Sequence, residues 1–229
     1  MITAHHQIFG RKYTQPIPTD YILAYNFNGN LLDSSGNGSN ATANGTITYG
    51  VGRKGVAGTA IKFGSGNIMT PTLPVSSVWS ISFWFKTNST TNTIWIELSP
   101  LLNTINGFLS TINNDGSGKI RGYINSGNTT NVDYKNTNNS FNDNNWHHLV
   151  LILDRTQTST NEIKIYIDNA LQTLTTSVNN EQTGNFTSEK LYIGARGTTL
   201  IQPYNGLMDD FKLYNYPLSQ TEITNLYNE

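Results

Sequence analysis

Hard oxygen donors stand near both ends of this sequence. Asp33 and Asn37 lie in the glycine-rich run Leu32 to Ala41, where the backbone of the Gly36 to Asn40 loop adds carbonyl oxygens; Asp209 and Asp210 are adjacent carboxylates far downstream. Carboxylate, amide and carbonyl oxygens in that mixture suit a hard cation with a shell of about six to eight ligands, and calcium better than magnesium because its geometry is more flexible. The alternative is a metal-free turn in which Asp33 forms an Asx-turn and one of Asp209 or Asp210 faces water.

Aromatic rings beside polar side chains offer a second chemistry. A sugar site needs aromatic platforms and a fan of Asn, Asp, Arg and Tyr hydrogen-bonding groups, and the chain has many of each. Trp95 alternates out of phase with Ile94 and Ile96, and Tyr123, Tyr134 and Tyr204 border polar loops. These four rings are the candidate carbohydrate platforms, with ordinary packing as the competing role for each. His147 and His148 are adjacent in one strand, so they point to opposite faces and cannot share a metal. Trp146 reads as a packing residue at the start of that strand, and His5-His6 has no partner at ligand spacing.

Other chemistries are excluded by what is missing. No Gly-x-Ser-x-Gly elbow, His-Glu-x-x-His pair or phosphate loop occurs. Zero Cys removes disulfides, thiolate zinc sites and thiol catalysis. A net charge of -1 with 14 Lys+Arg and no basic cluster lacks the electrostatic footprint of a nucleic-acid binder. No apolar run approaches the roughly 18 residues of a membrane span, so no membrane insertion is expected, and residues 1–20 lack the apolar core of a secretory signal.

The elements that must position these groups are strands. Residues 1–20 mix His, Arg, Lys and Pro without apolar periodicity and read as an arm or linker. Residues 21–229 show short alternating segments bounded by Gly, Asn, Asp and Ser, the pattern of one all-β sandwich domain. Strands are expected at 22–27, 60–63, 79–86, 93–98, 119–124, 147–154, 162–167, 171–175, 191–194 and 210–214. In the third, Trp79, Ile81, Phe83 and Phe85 share the core face and Trp84 points away. Leu149 to Leu153 is apolar on both faces, as in a covered central strand. Asp168-Asn169 tolerates positive φ and reads as a hairpin turn before Leu171. Ser219 to Glu222 fits a capping box ahead of one or two helical turns. The stretch 125–145, rich in Asn, Ser and Thr, reads as a long polar excursion and a candidate for functional variation.

Four segments in sequence order resemble the laminin-G-like group of the concanavalin A-like lectin/glucanase superfamily. They are Ala24-Tyr25-Asn26-Phe27 with the Leu32 to Ala41 loop; Gly58 to Phe63 with Trp79 to Lys86; Asn145-Trp146-His147-His148-Leu149-Val150 through Asp168-Asn169; and Leu191 to Gly194 with Tyr204 to Tyr214 and Pro217-Leu218-Ser219. Asn169 stands where that family usually places Gly, a mild change because Asn also accepts positive φ. The resemblance implies a jelly-roll sandwich of two antiparallel sheets with a short C-terminal helix. It also implies that the first and last strands pair, bringing Asp33 and Asn37 to Asp209 and Asp210 around a structural calcium ion. The glucanase branch carries its catalytic carboxylates as Glu-x-Asp-x-Glu or Glu-x-Asp-x-x-Glu on one strand, and none of Glu97, Glu162, Glu181, Glu189, Glu222 or Glu229 sits in such a pattern.

The expected function is therefore non-catalytic adhesion or carbohydrate binding. Met1, the absence of an export signal and the arm ahead of the sandwich favour a phage virion fibre or decoration component that holds other virion proteins through residues 1–20. Such a component would display the domain toward a glycan or host-surface receptor at the virion surface or in the extracellular space. The alternative is a carbohydrate-binding domain of a bacterial extracellular polysaccharide-degrading or adhesion system.

Overall fold

The computed structural model describes residues 19–99, 106–112, 115–126, 132–180 and 182–229. Of the arm expected over 1–20, residues 1–18 lie outside the described residues. The strands are β1 (Leu23–Tyr25), β2 (Thr42–Asn44), β3 (Thr48–Val51), β4 (Ala57–Lys62), β5 (Asn67–Thr72), β6 (Val78–Lys86), β7 (Thr93–Leu98) and β8 (Phe108–Ile112). They continue with β9 (Ile120–Asn125), β10 (Val132–Thr137), β11 (His147–Asp154), β12 (Ile163–Ile167), β13 (Ala170–Leu171), β14 (Leu174–Asn179), β15 (Lys190–Ile193) and β16 (Leu207–Tyr214), followed by helix α1 (Gln220–Asn228).

Two eight-stranded antiparallel sheets face each other. The first runs β13-β12-β11-β6-β16-β4-β3, with β1 pairing β16, and the second runs β14-β10-β9-β8-β7-β15-β5-β2. As the alternation in the third predicted strand requires, Trp79, Ile81, Phe83 and Phe85 point between the sheets and are fully buried. They meet Ile120, Ile124, Ile96 and Leu98 from the opposite sheet. Burying each such side chain contributes roughly 1.5–3 kcal/mol, which is why the period-two pattern fixes the register. Gly122 lets the sheets close up: a Cβ there would stand 2.7 Å from Ile163 Cγ2.

Strand β11 is covered on both sides, as its unbroken apolar run predicts. Leu149, Leu151 and Leu153 enter the main core, while Val150 and Ile152 pack with Tyr214, Leu218, Ile223 and Leu226 beneath α1. The helix starts at the predicted capping box, with Ser219 and Glu222 exchanging hydrogen bonds. The β12–β13 turn has both Asp168 and Asn169 at positive φ, 50° and 68°, as the hairpin reading requires.

One expectation is corrected here. The polar stretch 125–145 is not a continuous excursion: residues 127–131 lie outside the described residues, but β10 crosses it at Val132–Thr137. This strand carries Asp133 and Lys135 on its inward side, where their charges pair at 3.3 Å, so apolar alternation does not mark it.

Candidate functional site

The expected calcium centre is not assembled. The pairing of the first and last strands is present, with Leu23 opposite Leu213 and Tyr25 opposite Phe211. Asp33, however, spends both oxygens on its own loop: Oδ1 accepts from the Ala24 and Ser35 amides at 2.9 and 3.0 Å, and Oδ2 from the Ser35 hydroxyl and Ser39 amide at 2.6 and 2.9 Å. Burial raises the carboxyl, but these donors together outweigh it and hold the group below the usual aspartate range. This is the Asx-turn of the metal-free alternative. The Asn37 amide donates to the Tyr21 and Ile22 carbonyls, both at 3.1 Å.

Asp209 and Asp210 gather instead around Arg53. Asp210 Oδ2 meets Arg53 Nε at 2.7 Å, and Asp209 Oδ2 accepts the Arg53 amide at 3.0 Å. The guanidinium also lies 4.8 Å from the centroid of Trp84. Burial, reinforced by the Asp210 charge, pushes the Asp209 carboxyl up to about 6. Asp209 and Asp210 border a recess of about 300 Å³ with Asn28, Lys54, Val56 and Thr59. Among the described residues, no group of three or more His, Cys, Asp or Glu side chains is placed to hold a metal.

Two of the four predicted sugar platforms are core residues. Trp95 is fully buried and Tyr204 is 1% exposed. Trp95 packs edge-on against Phe83 and Tyr204 at 5.5 and 5.9 Å, and the Tyr204 hydroxyl donates to the Lys86 and Leu207 carbonyls. The cause is a bulge in β7: Ile94 pairs with Thr111 but Ile96 pairs with the adjacent Ser110, leaving Trp95 as the extra residue. Trp95 and Ile96 therefore both face the core, and the alternation that predicted an exposed Trp95 resumes one residue later, sending Glu97 outward.

Tyr123 and Tyr134 remain available. They are direct partners on β9 and β10, half-buried, with rings stacked 6.2 Å apart at 24°. The Arg121 guanidinium lies 4.5 Å from the Tyr134 centroid, while its Nε donates to Asn136 Oδ1 at 2.8 Å. Both tyrosines belong to one transverse row. Val178, Tyr134, Tyr123, Leu109, Glu97, Tyr192, Met69 and Thr42 are successive cross-strand partners over the whole second sheet, on the face away from the core. At about 4.8 Å per strand, Tyr134 to Tyr192 spans roughly 19 Å.

Beside Tyr123, a shallow recess is lined by Glu97, Ser99, Leu109, Asn125 and Arg196. Glu97 is 2% exposed, and its Oε1 meets Arg196 Nε at 3.2 Å. Burial pushes its carboxyl up to about 7 against the opposing pull of Arg196. Tyr123 is hydrogen-bonded to Asn125. Sequence reasoning missed Arg121, Glu97 and Arg196 as members of this face. The alternation Arg121-x-Tyr123 before a buried Ile124 was a signal for the first, and the alternation of Ile94, Ile96 and Leu98 one for Glu97; nothing local announced the bulge that turns Trp95 inward or the loop that delivers Arg196.

The histidines behave as predicted. His147 sits between Asp168 and Asp143 at 2.7 and 3.0 Å, and the Asp168 bond leads in raising its pKa. His148, on the other face, bonds Ser82 at 2.9 Å, and burial pushes it down to about 3.

A two-sheet antiparallel sandwich with one exposed, aromatic-bearing sheet face defines a lectin-like jelly roll. The chain belongs to a laminin-G-type family of the concanavalin A-like lectin/glucanase superfamily, whose model matches residues 57–224. No curated protein matches it in sequence. Among solved structures it is similar to domain 4 of an extracellular arabinanase from Geobacillus stearothermophilus, in complex with arabinotriose, at 23% identity and a TM-score of 0.67 over 90% of this chain and 98% of that one. It is also similar to the binding domain of botulinum neurotoxin DC in complex with SialylT (17%, TM-score 0.66, 92% of this chain) and to that of Paraclostridial Mosquitocidal Protein 1 (15%, TM-score 0.67, 92%). The chain spans about half of each of these two, 52%. At such identities the likeness establishes the fold. No helix among the described residues is long and apolar enough to cross a membrane.

Proposed function

We propose that this domain is a non-catalytic carbohydrate-binding module that lays an oligosaccharide across the outer face of its second sheet. The observation that carries the reading is the stacked Tyr123–Tyr134 pair with Arg121 over Tyr134, flanked by the Glu97–Arg196 recess. The half-buried rings supply apolar platforms, and the surrounding carboxyl, guanidinium and amide groups supply the directional hydrogen bonds that polyhydroxylated ligands need. The arabinotriose and SialylT complexes of the structural neighbours support a glycan ligand. The absence of a Glu-x-Asp-x-Glu strand supports a role without bond cleavage.

The likeness to an arabinanase domain over nearly the full length of both chains favours the polysaccharide-degrading or adhesion setting. Display on a virion through residues 1–20 is the competing setting, and deletion of that arm tests it: unchanged particle incorporation removes the anchoring role. The binding reading itself is tested on a glycan array. Wild-type protein should bind, and Tyr134→Ala should lose the signal; an array with no binder refutes the module.

A further inference from the structure

Resting on that reading, we propose that Glu97 sets the ligand class of the tyrosine face, accepting a hydrogen bond from a hydroxyl of a neutral sugar and excluding sugars that present a carboxylate there. The bulge at Trp95 turns Glu97 to the same face as Tyr123, with Leu109 as the partner between them. Its side chain is 2% exposed. Oε1 is tied to Arg196 and the Gly197 amide also faces the carboxyl, whereas Oε2 is buried with no partner at hydrogen-bond geometry among the described residues.

Above the value of about 7 to which burial pushes it, Glu97 is a carboxylate that accepts and cannot donate, so what completes it there is a donor. Sugar hydroxyls are donors; a uronate or sialate carboxylate is not, and it would meet the charge of Glu97 in a poorly hydrated setting where like charges repel strongly. Arg196 does not reverse this preference, because its charge is balanced by ionised Glu97, so the pair presents no net positive charge to a sugar carboxylate. The recess beside Tyr123 admits a group about the size of a water molecule. That is room for a hydroxyl; because Oε2 is enclosed, the Arg196 side chain, 15% exposed, swings aside to admit it while the sugar ring stays on Tyr123. An unmet buried acceptor is costly, so a ligand that supplies the donor recovers binding free energy that other ligands cannot.

The test uses an array of neutral homo-oligosaccharides and their uronate counterparts at about pH 8.5, where Glu97 is ionised, probed with wild-type protein, Glu97→Gln and Tyr134→Ala, each checked by thermal melting. The expected result is wild-type binding to neutral members only, weakened at least tenfold in Glu97→Gln. Equal or better wild-type binding to the uronates overturns the proposal and needs no variant, so it stands even if Glu97→Gln folds poorly. Undiminished binding by folded Glu97→Gln, with loss in Tyr134→Ala, also overturns the Glu97 assignment while leaving the tyrosine face intact. No wild-type binding to any sugar refutes both.

Discussion

Tyr123 and Tyr134 are direct cross-strand partners whose rings stack at 6.2 Å on the face of the second sheet that points away from the core. A pair so placed contributes little to the core, since a cross-strand aromatic contact is worth about 0.2–1 kcal/mol. Tyr134→Ala should therefore lower stability by no more than about 1 kcal/mol in urea unfolding, while glycan affinity falls at least tenfold. A large loss of stability would mean that the ring is a packing element.

The opposite split is expected for the two buried rings. Trp95→Ala should cost about 3–5 kcal/mol, because the cavity lies among Phe83, Phe85 and Tyr204 and cannot collapse. Tyr204→Phe should cost about 1 kcal/mol, the worth of the hydroxyl's bonds to the Lys86 and Leu207 carbonyls. Paired urea titrations check both.

Calcium should leave the fold indifferent. Because the Asp33 oxygens are filled by backbone and serine donors, and Asp209 and Asp210 are countered by Arg53, melting temperatures in chelator and in added calcium should coincide. A rise of several degrees with calcium would reinstate a metal at the chain ends.

Burial makes stability depend on pH through Glu162. This carboxyl is fully buried beside Asp133, Lys135 and Arg155, and is pushed up from 4.5 to about 7 chiefly by burial. Between those values the folded chain holds a proton that the unfolded chain has released, so this contribution falls as pH rises through that window. His148 acts in the opposite sense: with its folded value near 3, it favours the native state increasingly as pH rises toward 6.5. Glu162→Gln should remove the first slope alone, gaining on wild type by about 1–3 kcal/mol between pH 4.5 and 8 in urea unfolding. A constant difference across that range would contradict the assignment.

Much of the first sheet was legible because its strands obey simple periods. Trp79 to Phe85 alternates, Leu149 to Leu153 is covered on both sides, and Asp168-Asn169 turns where residues tolerant of positive φ stand. The second sheet was harder. Its outer face needs no apolar residues, so β10 hides among Asn and Thr, and the inward Asp133–Lys135 pair removes the remaining signal. Within β7, the inserted residue at Trp95 reversed the predicted facing of that ring while Glu97, enclosed, kept the outer side, a change in the ring that only the partner register of β8 reveals. The pairing of the first and last strands was correctly read, but which donors satisfy Asp33, Asp209 and Asp210 depends on Arg53, on backbone amides and on a serine hydroxyl, whose positions no spacing rule supplies.

The most direct test of the binding account is chemical-shift mapping on isotope-labelled protein titrated with the strongest array ligand. Saturable shifts should cluster on Arg121, Tyr123, Tyr134 and Glu97, along the transverse row of the second sheet. Shifts centred on Trp84, Lys54 and Asp210, on the outer face of the first sheet, would contradict it.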